Sequence, residues 1–287
     1  MTASEAAAPR VSALAALLRR PRYEVLPIAG TLEEVGQHVP RDLPVTVTST
    51  PGRGLEATLT LTEELADQGY PAVPHLAARL VRDERHLTDV LDRLNAVGVR
   101  DVFVVAGDGP PVGAFPDAPA LLTAIAGLAC KQVAHRPTSL GIAGYPEGHP
   151  LITAAELDRA LLAKQEHSDY VVTQMCFDPD AVSRWIGHLR SLGVPLPVHV
   201  GVAGPVDRLR LLRVATRIGV GSSLRYARKQ RGGAKLLRAG GYRPDALLTA
   251  LGGGVAGLHV YTLGDVAATE RWRHELLDRL SGEDRDG

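Results

Sequence analysis

Ten side chains with the means to do chemistry stand in, or just after, short apolar stretches of this 287-residue chain: Glu24, Thr48, His75, Asp108, Tyr145, Glu147, His149, Gln174, Phe177 and Tyr261. Carboxyls and imidazoles transfer protons near neutral pH when their surroundings tune them. Hydroxyls, phenols and amides hold polar ligands, an amide as donor and acceptor at once. Each residue also has a plain structural reading. Asp108 precedes Gly109, as turn aspartates do. His149 precedes Pro150 and could cap a turn, Tyr145 could pack, and His75 could be a hydrogen-bonded strand residue. Type alone leaves the chemistry open, so position has to decide.

The stretches themselves form a regular series: "YEVLPI" (23–28), "VTVTST" (45–50), "PAVPHL" (71–76), "DVFVVAG" (101–107), "SLGIAGY" (139–145), "DYVVTQMCF" (169–177), "PVHVGVA" (197–203) and "GLHVYTL" (257–263). Most are near-continuous rather than alternating, as strands covered on both faces should be. Segments of helical period lie between them. In "DERHLTDVLDRLNAVGV", Leu87, Val90, Leu91 and Leu94 share one face and Gly98 ends the helix. "DPDAVSRWIGHLRSLGV" repeats the pattern with Val182, Trp185, Ile186 and Leu189 behind an Asp cap, and "GPVDRLRLLRVATRIGV" (204–220) is a third unit.

Strand–helix alternation predicts an α/β fold with a parallel sheet. Eight strands, with no GxGxxG after the first, favour a closed (β/α)₈ TIM barrel over an open dinucleotide-binding sheet. The expected organisation is an N-terminal extension, part helical, over residues 1–20, one barrel over 21–280 and a loose tail over 281–287. A barrel carries its active site at the C-terminal ends of its strands, where the ten residues fall. "AGYPEGHP" (143–150) is then the handover from the fifth strand to its loop, directed by its Pro and Gly residues.

Bulk properties narrow the classes. Apolar residues make up 45% and charged residues 22%, with zero formal net charge, so no global field draws nucleic acid or an anionic membrane. The run "VSALAALL" is too short to span a bilayer, and the N-terminus lacks the charged-then-apolar order of a signal peptide. Cys130 and Cys176 show no metal-ligand spacing, so the reading is two reduced thiols, no metal and a cytoplasmic setting. None of the lysines, at 131, 164, 229 and 235, lies on an expected strand, which disfavours a Schiff-base lyase or aldolase.

Six of these strand ends resemble the signatures of the methylenetetrahydrofolate reductase family. "AGYPEGHP" is similar to its fifth-strand motif and "VVTQMCFD" (171–178) to its I-T-Q-x-F-F-D. "VVAGD" (104–108) resembles L-R-G-D, "VPHLA" (73–77) P-H-L-T, "YEVLP" (23–27) F-E-F-F-P, and "LHVYTL" (258–263) F-H-F-Y-T-L. The matches run in order from about residue 23 to 265. The resemblance implies reduction of 5,10-methylenetetrahydrofolate to 5-methyltetrahydrofolate, with NADH or NADPH as hydride source. It implies Glu24 as the acid, its pKa raised by apolar surroundings, and Asp108 as the charge that offsets a developing cation. Gln174, Phe177, Thr48 and Tyr261 would bind folate, Phe177 by stacking on a flat ring. His75, Ala106, Gly107, Tyr145, His149 and Lys164 would line the cofactor site.

Three departures bear on the cofactor. Most of the family carries FAD as an intermediate hydride carrier. Here Ala106 stands for the Arg of L-R-G-D, Ala77 for the Thr of P-H-L-T, and the helix before the sixth strand keeps Lys164 nearly alone. Each lost charge-assisted contact weakens a charged dinucleotide by about 1–3 kcal/mol. Expected is therefore the family's flavin-free branch, with direct NADH-to-folate transfer, unless Arg79 or Arg82 substitutes for the missing cations. The alternatives are an FAD-dependent ping-pong reductase and a non-catalytic folate- or nucleotide-binding barrel. The basic run "RYARKQRGGAK" (225–235) is either a solvated face or an anion rim for dinucleotide phosphates or a folate polyglutamate tail, and "LGGGV" (251–255) reads as a plain loop. No oligomeric state follows from the sequence.

Overall fold

The computed structural model describes residues 3–50, 52–110, 112–130, 135–149, 151–206 and 242–283. The third helical unit, apart from its first three residues, and the basic run 225–235 lie outside the described residues. Eight parallel strands close into a barrel in sequence order: β1 (Arg22–Val25), β2 (Val45–Val47), β3 (Ala72–Ala77), β4 (Asp101–Val105), β5 (Ser139–Gly144), β6 (Tyr170–Thr173), β7 (Val198–Ala203) and β8 (Val255–Tyr261). β8 pairs back onto β1, with Glu24 beside Tyr261 on one flank and Thr46 on the other. The strands stop earlier than most of the apolar runs because the runs continue into the first residues of the C-terminal loops. "LGGGV" is a loop up to Val255, which begins β8.

The helices of the described residues are α1 (Ala3–Arg19), α2 (Thr31–His38), α3 (Gly54–Asp67), α4 (Glu84–Ala96), α5 (Ala118–Cys130), α6 (Ala154–Gln165), α7 (Pro179–Ser191), α8 (Asp245–Ala250) and α9 (Val266–Glu283). In α4 the four periodic residues are buried, and the Asp83 carboxylate accepts from the His86 amide at 2.8 Å to cap the first turn. Asp178 caps α7 in the same way, over buried Val182, Ile186 and Leu189. None of the described helices is long and apolar enough to cross a membrane.

Residues 1–20, expected to be an extension, contribute a docked helix. Leu14 and Leu18 of α1 are buried, and α1 packs against α9. Each such leucine contributes about 1.5–3 kcal/mol by leaving water. A buried polar knot fixes the join: the Tyr23 hydroxyl and the Arg273 guanidinium both donate to Glu270, while Arg273 Nη1 donates to the Leu18 carbonyl at 3.1 Å. The strand carrying Glu24 is thus anchored from outside the barrel. The tail boundary at 281 also shifts, since α9 continues to Glu283.

Inside the barrel, side chains stack in layers. At the N-terminal end Arg22 pairs with Asp101 and lies 4.3 Å over the Tyr170 ring, and the Tyr170 hydroxyl donates to Asp101 at 2.9 Å. His199 meets Tyr170 edge-on at 5.4 Å. Two strand glycines make room for this layer. A Cβ on Gly141 would come within 2.3 Å of the Tyr170 ring, and one on Gly257 within 2.3 Å of His199 Nδ1. Above it lie His75, Phe103 and His259, with ring centroids 4.8 Å (His75–Phe103) and 6.4 Å (Phe103–His259) apart. This end of a barrel serves stability rather than chemistry. Gly141→Val should accordingly cost about 1–3 kcal/mol by overpacking. A lower urea midpoint at unchanged slope would bear this out, and an unchanged midpoint would show that the layer yields freely.

Candidate active site

Glu24 sits on β1 with its backbone carbonyl held by the end of β8: the Thr262 amide and hydroxyl both donate to it, at 3.1 and 2.7 Å. The strand pleat turns the side chain into the barrel, two positions above Arg22, where 13% of it remains exposed. His259 Nε2 lies 2.9 Å from Glu24 Oε2, and His75 Nε2 lies 3.6 Å from the same oxygen. Burial pushes the Glu24 carboxyl up to about 7, with His75 pulling it partly back. Burial also drives the imidazoles the other way, His75 to about 4 and His259 to about 3. The site therefore holds a carboxyl that keeps its proton well above the ordinary carboxylate range, between two rings that burial keeps uncharged, the arrangement a general acid requires.

Asp108, Gln174, Thr48 and the 145–149 loop all follow the C-terminal ends of their parallel strands, so they share this mouth with Glu24. Asp108 is exposed on the turn after β4 and faces the β5 loop: burial raises the Tyr145 phenol, with the Asp108 charge adding to it. Burial lowers His149, and Asp108 opposes that shift. Gln174 Oε1 accepts from the Met175 amide at 2.8 Å, and the Tyr261 hydroxyl donates to the Thr173 carbonyl at 3.1 Å. The buried hydroxyls of Thr46, Thr48, Ser49 and Thr50, along β2 and its exit, have no hydrogen-bond partner among the described residues. Such groups suit a polar ligand, because a buried polar atom costs free energy until it is paired.

Two expected site residues are packed into the protein. Phe177 is 3% exposed, its ring edge-on to Tyr242 at 5.6 Å in a cluster with Ala203 and Val206. Lys164 is 7% exposed, and its ammonium donates to the Ala143 carbonyl at 2.9 Å; burial lowers it to about 8. Of the remaining cofactor positions, Ala106 accepts from the Arg79 amide at 3.1 Å and Gly107 lies against Ala77. His75 is turned toward Glu24.

Glu147 has a task that residue type did not reveal. Its Oε1 accepts from the amides of Phe177 and Asp178, at 2.6 and 2.9 Å, clasping the β5 loop to the start of α7. Gly148 closes a turn on the Tyr145 carbonyl at 3.0 Å, and Tyr145 and His149 pack edge-on at 5.3 Å. The stiffness of "AGYPEGHP" is that of a brace on the rim. His259 was also missed. Its signal was a histidine at the strand position that closure would set next to β1, which no local pattern marks.

The fold is a (β/α)₈ barrel whose C-terminal mouth encloses a buried carboxyl of raised pKa. The family model for methylenetetrahydrofolate reductase matches residues 28–223, and the chain belongs to that family. A probable methylenetetrahydrofolate reductase (NADPH) of Caenorhabditis elegans is 25% identical over 127 residues, 44% of this chain and 19% of that protein. Methylenetetrahydrofolate reductase (NADH) 1 of Arabidopsis thaliana is 26% identical over 183 residues, 55% of this chain and 30% of that protein. The matched part is under a third of either relative. Among solved structures, oxaloacetate acetylhydrolase with bound oxalate covers 96% of this chain and 87% of its own, at TM-score 0.50 and 10% identity, a likeness of fold alone.

The raised carboxyl has a consequence for stability. Unfolded, Glu24 ionises near 4.5; folded, near 7, so between these values the native state binds more protons. Its contribution is full below pH 4.5 and is lost as pH rises to 7, by an amount on the order of 3 kcal/mol. Urea titrations of wild type and Glu24→Gln at pH 5 and pH 8 should show the variant gaining stability relative to wild type at the higher pH. A difference independent of pH would mean that Glu24 ionises normally.

Proposed function

We propose that this chain reduces 5,10-methylenetetrahydrofolate to 5-methyltetrahydrofolate with hydride taken directly from NADH or NADPH. The observation that carries the reading is the Glu24 carboxyl, buried in the mouth and pushed up to about 7. The substrate's methylene bridge must open before it can accept hydride. Glu24 gives its proton to N10 as the bond from that nitrogen to the methylene carbon breaks, leaving an iminium at N5. Asp108 at the rim offsets the positive charge. Hydride then adds to the methylene carbon, completing the N5-methyl group and the oxidised nicotinamide. Glu24 is left ionised and regains a proton from solvent, so one proton and one hydride enter per turnover. The buried hydroxyls of Thr46 and Thr48, with Gln174, suit the pterin's donors and acceptors.

The residues at the mouth do not suit a resident FAD. The Arg79 guanidinium donates to the carbonyls of Gly109 and Pro116, at 3.0 and 2.9 Å, and Lys164 is committed to Ala143. Ala77 and Ala106 offer a dinucleotide neither charge nor hydroxyl. Arg79 and Lys164 are thus committed to holding loops in place, which supports direct transfer within a ternary complex. The proposed setting is the cytoplasm, in keeping with the unpaired thiols of Cys130 and Cys176.

The purified protein should be colourless and should oxidise NADH or NADPH only when methylenetetrahydrofolate is present, without added flavin. Stoichiometric FAD released by heat would overturn direct transfer, and no folate-dependent oxidation with either nucleotide would overturn the reductase reading. Glu24→Gln should lower kcat by about 10²–10⁴-fold, the range for loss of a general acid.

A further inference from the structure

We propose that His259 is a positioning residue for Glu24: its Nε2–H holds carboxyl oxygen Oε2, leaves Oε1 for the ligand, and stabilises the carboxylate that remains once the proton is given up. The role attributed to the carboxyl rests on the reductase reading, but the contact exists without it.

Four observations converge. His259 is 1% exposed and its Nε2 is the nearest polar atom contacting Glu24 Oε2, at 2.9 Å. His259 Nδ1 is buried with no hydrogen-bond partner among the described residues. A proton on Nδ1 would leave a buried donor unsatisfied, whereas on Nε2 it meets an acceptor, so the Nε2–H tautomer is favoured. The ring is kept uncharged by burial first and then by the Arg22 guanidinium below it. A neutral donor suits the cycle: it lets Glu24 carry its proton in the resting state, where a fixed cation would strip it away, and still offers a hydrogen bond to the anion. Finally, the ring is fixed on both sides, edge-on to Tyr261 at 5.0 Å and stacked toward Phe103 at 6.4 Å.

Among the described residues, the groups beside Glu24 are Thr46 from β2, His75 from β3, and His259 and Tyr261 from β8, with Arg22 one layer down on β1. His75 stands beyond hydrogen-bond reach at 3.6 Å and packs on Phe103 at 4.8 Å. Of the two imidazoles, only His259 is placed to orient the carboxyl.

The test is made on ligand-free protein, so a failed reductase assay would leave it readable. Infrared difference spectra across a pH titration isolate the Glu24 carboxylic C=O stretch as the band absent in Glu24→Gln. In His259→Phe, which keeps a ring but loses the donor, the midpoint of that band should rise by about one pH unit, a tenfold change in the acid constant. His259→Gln, whose amide can donate, should return it toward wild type. An unchanged or lowered midpoint in His259→Phe would overturn the proposal, since a merely structural ring would leave the titration in place. Should that variant fail to fold, imidazole ¹⁵N spectra of wild type decide: Nε2 protonated with Nδ1 bare is expected, and the opposite tautomer would overturn it. Where turnover is measurable, the basic limb of the kcat profile should move with the infrared midpoint.

Discussion

The structure depends on taking one carboxyl group out of water without supplying it a cation. An isolated carboxylate in an apolar interior costs several kcal/mol, and proteins relieve that cost by pairing the charge or by keeping the proton. At Glu24 the second route operates. Arg22, one layer lower, is spent on Asp101, and burial keeps the adjacent histidines neutral. The barrel thus separates its groups by depth, with an ion pair at the N-terminal end and a carboxyl of raised pKa at the open end.

That arrangement needs rigid support, which comes from outside the lumen and around the rim. β1 is tied to α1 and α9 through Tyr23, Glu270 and Arg273, and the Glu24 carbonyl is bound to Thr262. Around the mouth, polar side chains act as struts: Glu147 joins the β5 loop to α7, and Arg79 joins β3 to the β4 loop. Using Arg79 and Lys164 in this way leaves those cations unavailable to a bound dinucleotide. Scaffold and proposed cofactor choice therefore meet in the same residues.

Much of this was legible in the sequence, for physical reasons. Strands buried on both faces write continuous apolar runs, and each of the eight runs overlaps a barrel strand. Helices with one buried stripe write their period, and Asp83 and Asp178 mark their own first turns. Glu24 was visible because it interrupts an apolar run. His259 was not, because its neighbour lies 235 residues away across the seam where the last strand meets the first. The burial of Phe177 and Lys164 was hidden for a related reason: an aromatic or a lysine near a strand end can turn into the wall as easily as into the mouth, and only packing decides. The docking of α1 escaped notice because its partner α9 is at the other end of the chain.

The central claim is that the folate is read at the C-terminal mouth by a protonated Glu24, and the most direct measurement is a crystal structure of the protein with a folate bound. The account predicts the pterin inside that mouth, with its N10 within about 2.6–3.2 Å of the Glu24 carboxyl, or one water away. A pterin seated at the Arg22–Asp101 end, or turned so that Glu24 cannot reach N10 even through a water, would contradict it.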